Sequence, residues 1–91
     1  MDRTIFCKLK AIEIGSFFAL KNFKVSVYLG HDIETIDINV DCCGPEERHQ
    51  ISQDLACLCT HGIDYSFETV NGSDIAYFHV RFDGVLDEFV D

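Results

Sequence analysis

The sequence predicts a single α+β domain in which one helix packs on the apolar face of one antiparallel sheet, in the order β-β-β-α-β-β. Two observations carry this prediction. Several runs alternate apolar and polar residues, which is the period of a strand with one buried face. One run, after the only proline, repeats its apolar residues at helical spacing. At 91 residues the chain has the length of one domain, and we assign residues 1–91 to it.

The first predicted strand is the run RTIFCKLKA at residues 3–11. Its lysines fall on one side of an extended chain, and the other side carries Ile5, Cys7, Leu9 and Ala11. The pattern of residues 12–22 is harder to interpret. We predict a hairpin or an irregular extended segment around Gly15 and Ser16, and a short helix from Ser16 is the alternative.

The next two runs predict an antiparallel hairpin. Residues 23–29 and 36–42 both alternate apolar with polar side chains, and Gly30-His31-Asp32 supplies the turn between them. Lys24 is then expected opposite Asn39 or Asp41. This places the second predicted strand beside the third.

A helix is predicted from about Pro45 to His61. Proline is favoured at the first helical position, and Glu46 and Glu47 fall in the first turn, where the helix dipole favours anions. Gly62 follows as a left-handed stop. The apolar stripe of this helix consists of Ile51, Leu55, Leu58 and Cys59.

The last two runs flank Asn71-Gly72, the strongest short signal for a hairpin. A two-residue loop pairs Val70 with Ser73. The pairs on the apolar face are then Phe67 with Ala76, Tyr65 with Phe78, and Ile63 with Val80. The pairs on the polar face are Glu68 with Ile75, Ser66 with Tyr77, and Asp64 with His79. The tail, residues 83–91, has apolar side chains able to pack over a sheet edge: Val85, Leu86, Phe89 and Val90.

The five cysteines indicate reduced thiols, because the chain opens without the pattern of a secretion signal. Cys42 and Cys43 are adjacent and would point to opposite faces, and Cys57 and Cys59 would diverge by about 200° on a helix. We therefore expect buried thiols rather than a zinc site. No nucleophile motif accompanies any histidine. We expect no enzymatic activity, no cofactor and no small-molecule substrate.

The charge is strongly asymmetric along the chain, whose net charge is −9. Residues 1–24 carry five basic and two acidic side chains, whereas residues 25–91 carry two arginines and fourteen acidic side chains. A field of this sign repels nucleic acids and anionic membranes and attracts basic surfaces. We therefore expect a basic protein as the partner, with no direct contact to nucleic acid or membrane.

The densest acidic stretch is ETIDINVDCCGPEE, residues 34–47, which contains five carboxylates and no lysine or arginine. Alternate side chains of a strand repeat every 6.6 Å or so, close to the roughly 6–7 Å between successive phosphates of a nucleic-acid strand. Such a sheet could imitate a phosphate backbone. The predicted partner-binding residues are Asp32, Glu34, Asp37, Asp41, Glu46, Glu47, Asp64, Glu68, Tyr28 and Tyr77.

In size, acidity and arrangement of strands around one helix, the chain resembles small phage-encoded anti-CRISPR proteins. The resemblance lies in its general character and in the acidic residues above, without a diagnostic motif. It implies a cytoplasmic inhibitor, in a bacterial host, that blocks the DNA or RNA contacts of a CRISPR effector complex. Two alternatives stay open: an immunity protein or antitoxin that neutralises a basic nuclease toxin, and a non-enzymatic assembly module that pairs through sheet edges and the tail.

Overall fold

A computed structural model describes residues 2–87 of the protein. It shows a small α+β fold with two helices and a four-stranded antiparallel sheet of order β1-β2-β4-β3. A 3-10 turn, Ile33–Thr35, precedes the second strand. The helices and strands are α1 (Arg3–Leu20), β1 (Val25–Leu29), β2 (Ile36–Asp41), α2 (Gly44–Leu58), β3 (Asp64–Thr69) and β4 (Ala76–Arg81).

The first element corrects the prediction, because residues 3–20 form one helix instead of a strand followed by a hairpin. The order is therefore α-β-β-α-β-β. Four fully buried side chains repeat at helical spacing: Cys7, Ala11, Ile14 and Phe18. The strand pattern relied on Ile5 and Leu9, and both are half exposed. Asp2 caps the helix, since its carboxylate accepts the N–H of Thr4 at 3.1 Å.

The predicted hairpin of β1 and β2 is confirmed. Val25 pairs with Val40 and Val27 with Ile38. The N–H of Asp41 donates to the carbonyl of Lys24 at 2.9 Å, so Lys24 lies opposite Asp41 as expected. On β2 the apolar residues Ile36, Ile38 and Val40 are buried, and the polar residues between them are partly exposed. One face of this hairpin thus belongs to the core.

The one predicted helix is confirmed as α2, which ends earlier than expected. It spans Gly44–Leu58 instead of Pro45 to His61. Its first turn is closed by Glu47, whose carboxylate accepts the N–H of Cys43 at 2.9 Å. At the other end, His61 and Gly62 both have positive φ. The left-handed segment therefore lies outside the helix and turns the chain into β3.

The hairpin of β3 and β4 exists, but its predicted register is wrong by two residues. The observed pairs include Phe67 with Phe78 and Tyr65 with Val80. The N–H of Val70 donates to the carbonyl of Ile75 at 3.1 Å, so four residues form the loop instead of two. All the predicted pairs are shifted accordingly: Val70–Ser73, Phe67–Ala76, Tyr65–Phe78, Ile63–Val80, Glu68–Ile75, Ser66–Tyr77 and Asp64–His79. Because the strand period is two, this shift left every side chain on its predicted face.

Both helices and one face of the sheet contribute to a shared core. α1 packs against β1 and β2, and α2 contributes Ile51 and Leu55. Phe78 of β4 contacts the rings of Tyr65 and Phe67 within this core, with centroid separations of 6.3 and 5.2 Å. In the tail, Val85 is buried and Leu86 is half exposed, whereas Phe89 and Val90 lie outside the described residues. The opposite face of the sheet is polar.

Candidate protein-binding surface

The face of the sheet opposite the core, which we call the open face, carries three rows of side chains, one from each strand in each row. The strand pairings define these rows. None of the residues is fully buried. In the order β1, β2, β4, β3, the rows are Tyr28–Asp37–Arg81–Asp64, Ser26–Asn39–His79–Ser66 and Lys24–Asp41–Tyr77–Glu68.

Four of the predicted acidic residues meet on the open face. Asp37 and Asp64 lie on either side of Arg81, and Asp41 and Glu68 lie on either side of Tyr77. Neighbouring strands are about 4.8 Å apart, so each outer row holds its two carboxylates about 10 Å from each other. The order of the strands brings together residues that are widely separated in the sequence.

The open face also carries two cations: Lys24, which was expected opposite Asn39 or Asp41, and Arg81, which the prediction did not place among the carboxylates. Arg81 lies between Asp37 and Asp64, and Lys24 begins the third row. The face is therefore a mixed surface with an acidic excess, not an uninterrupted anionic array. The alternation of apolar and polar residues along β4 could have assigned Arg81 to the open face. The residues that lie beside Arg81, however, depend on the order of the strands in the sheet.

His79 occupies the centre of the open face. It pairs with Asn39 on one side and Ser66 on the other, which corrects the predicted pairing with Asp64. Its Nε2 atom lies 3.9 Å from Oδ2 of Asp37, close enough for an ion pair when the ring is protonated. The hydroxyl of Ser66 is shielded from solvent and has no hydrogen-bond partner.

The two predicted tyrosines differ in their surroundings. Tyr77 is hydrogen-bonded to the carboxylate of Glu68, which raises the pKa of the phenol because this bond requires the proton. Glu68 is therefore partly engaged by its neighbour. Tyr28 lies on the edge strand with 60% of its surface exposed, so its ring is free to act as an anchoring contact at the rim.

The remaining predicted acids lie outside the sheet, near opposite ends of β2. Asp32 and Glu34 are exposed in the turn that precedes β2, where Asp32 accepts a hydrogen bond from the hydroxyl of Thr35. Glu46 is exposed in the first turn of α2, and Glu47 closes that turn. The ten predicted residues therefore form one open-face group and two flanking pairs.

The predicted acidic residues keep their charge largely uncompensated. Four ion pairs occur in the described part of the chain, and only the pair between His79 and Asp37 includes a predicted site residue. The three lysine and arginine pairs involve Asp87, Glu13 and Asp54 instead. The acidic excess is thus available to an external cation.

The cysteines and histidines do not assemble a metal site within residues 2–87, where no group of three or more histidine, cysteine or carboxylate side chains is arranged to hold an ion. Cys7 and Cys42 are buried, as expected for apolar thiols. Cys43 and Cys57 are exposed, which corrects the expectation that all five thiols are buried. Cys59 is intermediate, and burial raises its pKa to about 12.

Comparisons with models of known protein families, with curated proteins and with solved structures gave no match. Within the described residues, neither helix has the length and apolar character needed to span a bilayer.

Proposed function

We propose that the protein is a non-enzymatic inhibitor that binds the basic, nucleic-acid-binding surface of another protein through its open face. The observation that carries this proposal is the gathering of Asp37, Asp41, Asp64 and Glu68 on the sheet face opposite the core. The chain has a net charge of −9. In the described residues, none of these four carboxylates forms an ion pair with a lysine or arginine.

Electrostatics supply both the attraction and the orientation of this complex. The acidic excess accelerates the encounter with a positively charged cleft, and the two charged rows align the sheet along it. Asp37 and Asp41 project from the same strand two alternations apart, a separation of about 13 Å. Exposed Tyr28 adds an apolar contact at the rim. The lysines and arginines of the partner then contact the carboxylates of this protein instead of the phosphates of the nucleic acid, and the nucleic acid is displaced.

The partner class follows from the same chemistry. A basic groove that normally holds DNA or RNA complements this surface, and the resemblance to anti-CRISPR proteins favours an effector complex of bacterial defence in the host cytoplasm. A basic nuclease toxin offers similar chemistry, which makes an immunity protein or antitoxin the second candidate. A toxin gene next to the gene of this protein would favour that candidate.

The test uses the full chain as bait in a bacterial lysate at about 50 and 200 mM salt, followed by identification of the bound proteins. We expect a basic nucleic-acid-binding protein that is retained at low salt and largely lost at high salt. The captured protein is then assayed for binding of its DNA or RNA with increasing amounts of the inhibitor. Undisturbed nucleic-acid binding by that protein would contradict the proposal.

A matched pair of variants separates the open face from net charge alone. Asp37→Asn with Asp41→Asn removes two charges from the open face, whereas Glu13→Gln with Asp54→Asn removes two charges from the helices. We expect the first pair to weaken binding about tenfold or more, which corresponds to about 1.4 kcal/mol, and the second pair to have a much smaller effect. Equal losses from the two pairs would exclude the open face as the binding surface.

A further inference from the structure

α1 carries a second apolar stripe that faces away from the core. It repeats at the helical spacing of four and three residues over four turns, and no charged residue interrupts it. Its first three members are about half exposed, with exposed fractions of 51%, 51% and 48%. The stripe consists of Ile5, Leu9, Ile12 and Ala19, with the small polar residue Ser16 between the last two. A contiguous exposed stripe of this kind is typical of an interaction surface.

The stripe continues onto β1, which is one of the two edges of the sheet. An open groove of about 390 Å³ runs between the helix and this strand. Ile12, Ser16 and Ala19 line one side, and Gly15 lies at the base of the helix wall. The other side is formed by the apolar side chains of the strand, which are Val25, Val27 and Leu29. Helix stripe and strand edge therefore form one surface.

The backbone of β1 has a regular set of outward polar groups. In an antiparallel pair, residues alternate between those bonded to the partner strand and those pointing away. Lys24 is bonded to Asp41 of β2, so Ser26 and Tyr28 also face β2. The N–H and C=O groups of Val25, Val27 and Leu29 consequently point away from the sheet, where they can accept another strand.

The two edges of the sheet are protected very differently. Edge strands are usually blocked by charges, proline or bulges, because an open edge pairs with other strands. β3 carries Asp64 and Glu68 along its length, whereas β1 has neither a charge nor a proline from Val25 to Leu29. The unprotected edge coincides with the apolar stripe of α1. β1 is therefore the edge of the sheet at which another strand can be added.

We propose that the partner is a second copy of this chain, which pairs β1 with β1 around a two-fold axis at Val27. Val27 then bonds Val27 of the second copy, and Val25 bonds Leu29 of the second copy. This register uses all the outward groups of both strands. It joins the sheets into eight strands, places the two α1 stripes side by side over the junction, and leaves both open faces on one side.

Self-complementarity and charge favour a second copy over a different protein. In an isologous interface the same surface of the two copies meets, so that surface must be complementary to itself. Here apolar side chains of one copy meet apolar side chains of the other. The acidic excess of residues 25–91 would repel a second copy elsewhere on the surface, but β1 itself is uncharged. In the proposed register, Lys24 lies opposite Gly30 of the second copy, beside the turn that contains Asp32. The ends of the interface are thus complementary.

The dimer can be tested separately from the proposed inhibitory function, because it uses the backbone edge of β1 and the helices, whereas the side chain of Tyr28 on the same strand stays on the open face. Its test is the mass of the full chain in solution, measured by light scattering coupled to size exclusion between about 1 and 100 μM. We expect about twice the 10.3 kDa mass of one chain. A mass of one chain at all these concentrations would overturn the proposal.

Two exposed substitutions locate the interface. Ile12→Glu and Val27→Lys place charges on the helix stripe and at the two-fold axis, and each is expected to raise the dimer dissociation constant at least tenfold. Ile75→Glu is the matched control, because Ile75 is 58% exposed in the loop between β3 and β4. It should leave the dimer intact. Circular dichroism verifies that each variant is folded, and a dimer that withstands both substitutions would contradict the proposed interface.

A cysteine at the axis tests the register directly, even if the charged variants fail to fold. In a background of Cys43→Ser and Cys57→Ser, which removes the exposed thiols, Val27→Cys is expected to form a disulfide-linked dimer under mild oxidation. Paired residues across an antiparallel ladder have Cα atoms about 5.5 Å apart, within disulfide range. Ile75→Cys in the same background should remain unlinked. Equal cross-linking of both variants would exclude this register.

Discussion

Gly15 of α1 lies directly against Val27 of β1: a Cβ atom built on Gly15 would come within 2.6 Å of Cγ2 of Val27. Glycine in the middle of a helix costs about 1 kcal/mol relative to alanine. Here it allows the helix to approach the edge strand closely enough to bury Ile14 and Phe18. The same approach creates the floor of the groove between α1 and β1.

Gly15→Ala is therefore expected to destabilise the protein, although alanine is the better helix former. We expect the free energy of unfolding to fall by about 1–2 kcal/mol, because the new methyl group must displace a stiff β-branched side chain. Urea unfolding at one fixed protein concentration measures the change. Ser16→Ala, one residue further along on the exposed side, is the control and should change stability by less than about 0.5 kcal/mol.

A double-mutant cycle connects this effect to Val27. In a Val27→Ala background the clashing methyl group is gone, so Gly15→Ala should become neutral or stabilising. If the substitution costs the same in both backgrounds, the close contact with Val27 is not its cause.

Ser66→Ala is expected to leave stability unchanged or to raise it by up to about 1 kcal/mol. The hydroxyl of Ser66 is shielded from water and has no hydrogen-bond partner, and an unsatisfied polar group of this kind carries a desolvation cost. Thermal and urea unfolding provide the measurement, with Ser26→Ala at the exposed end of the same row as a neutral control. A clear loss of stability in the Ser66 variant would show that the hydroxyl is in fact bonded in solution.

Stability is expected to fall as the pH rises above about 9. Burial raises the pKa of Cys7, Cys42 and Cys59 above the ordinary value of 9.0, in the case of Cys59 to about 12. Between the unfolded and folded pKa values, the unfolded chain loses protons that the folded chain keeps, so unfolding becomes more favourable. Urea unfolding at pH 8 and pH 10.5 measures the loss. Cys59→Ala should reduce this pH dependence, whereas Cys57→Ala, at an exposed thiol, should preserve it.

Arg81→Gln is expected to strengthen binding to a basic partner. Arg81 lies between Asp37 and Asp64 on the open face, and removing its charge makes that row more negative. Titration at low and high salt measures the change, which should be largest at low salt. Arg48→Gln changes the net charge equally, but Arg48 stacks on Phe67 at 3.9 Å on the core side of the sheet. A similar gain from both variants would mean that net charge, not the open face, determines binding.

Much of the local structure could be predicted from the sequence. The β1–β2 hairpin, the start of α2 and the faces of β3 and β4 follow from short periodic runs bounded by turn or capping residues. α1 was misread because residues 5, 7, 9 and 11 satisfy a strand period while residues 7, 11, 14 and 18 satisfy a helical one. Gly15, which sequence reasoning treats as a breaker, obscured the longer pattern.

The register of the last hairpin shows a different limit. A shift of two residues preserves both faces of a strand, so the apolar pattern fits the two-residue loop and the observed four-residue loop equally well. The side chain of Ser73 helps to select the longer loop, since its hydroxyl accepts the N–H of Ile75 at 3.0 Å. The spacing of apolar residues along the sequence does not reveal such a hydrogen bond between a side chain and the backbone within a loop.

The α+β class, the acidic excess and the alternation that assigns Asp37, Asp41, Asp64 and Glu68 to polar faces can be inferred from the sequence. The tertiary structure was needed to establish which charges are neighbours, because β4 lies between β2 and β3 and brings Arg81 between two carboxylates. It also decided that the second apolar stripe of α1 lies beside an open edge. Periodicity describes one element at a time, whereas neighbours in a sheet are chosen by the packing of elements that are distant along the chain.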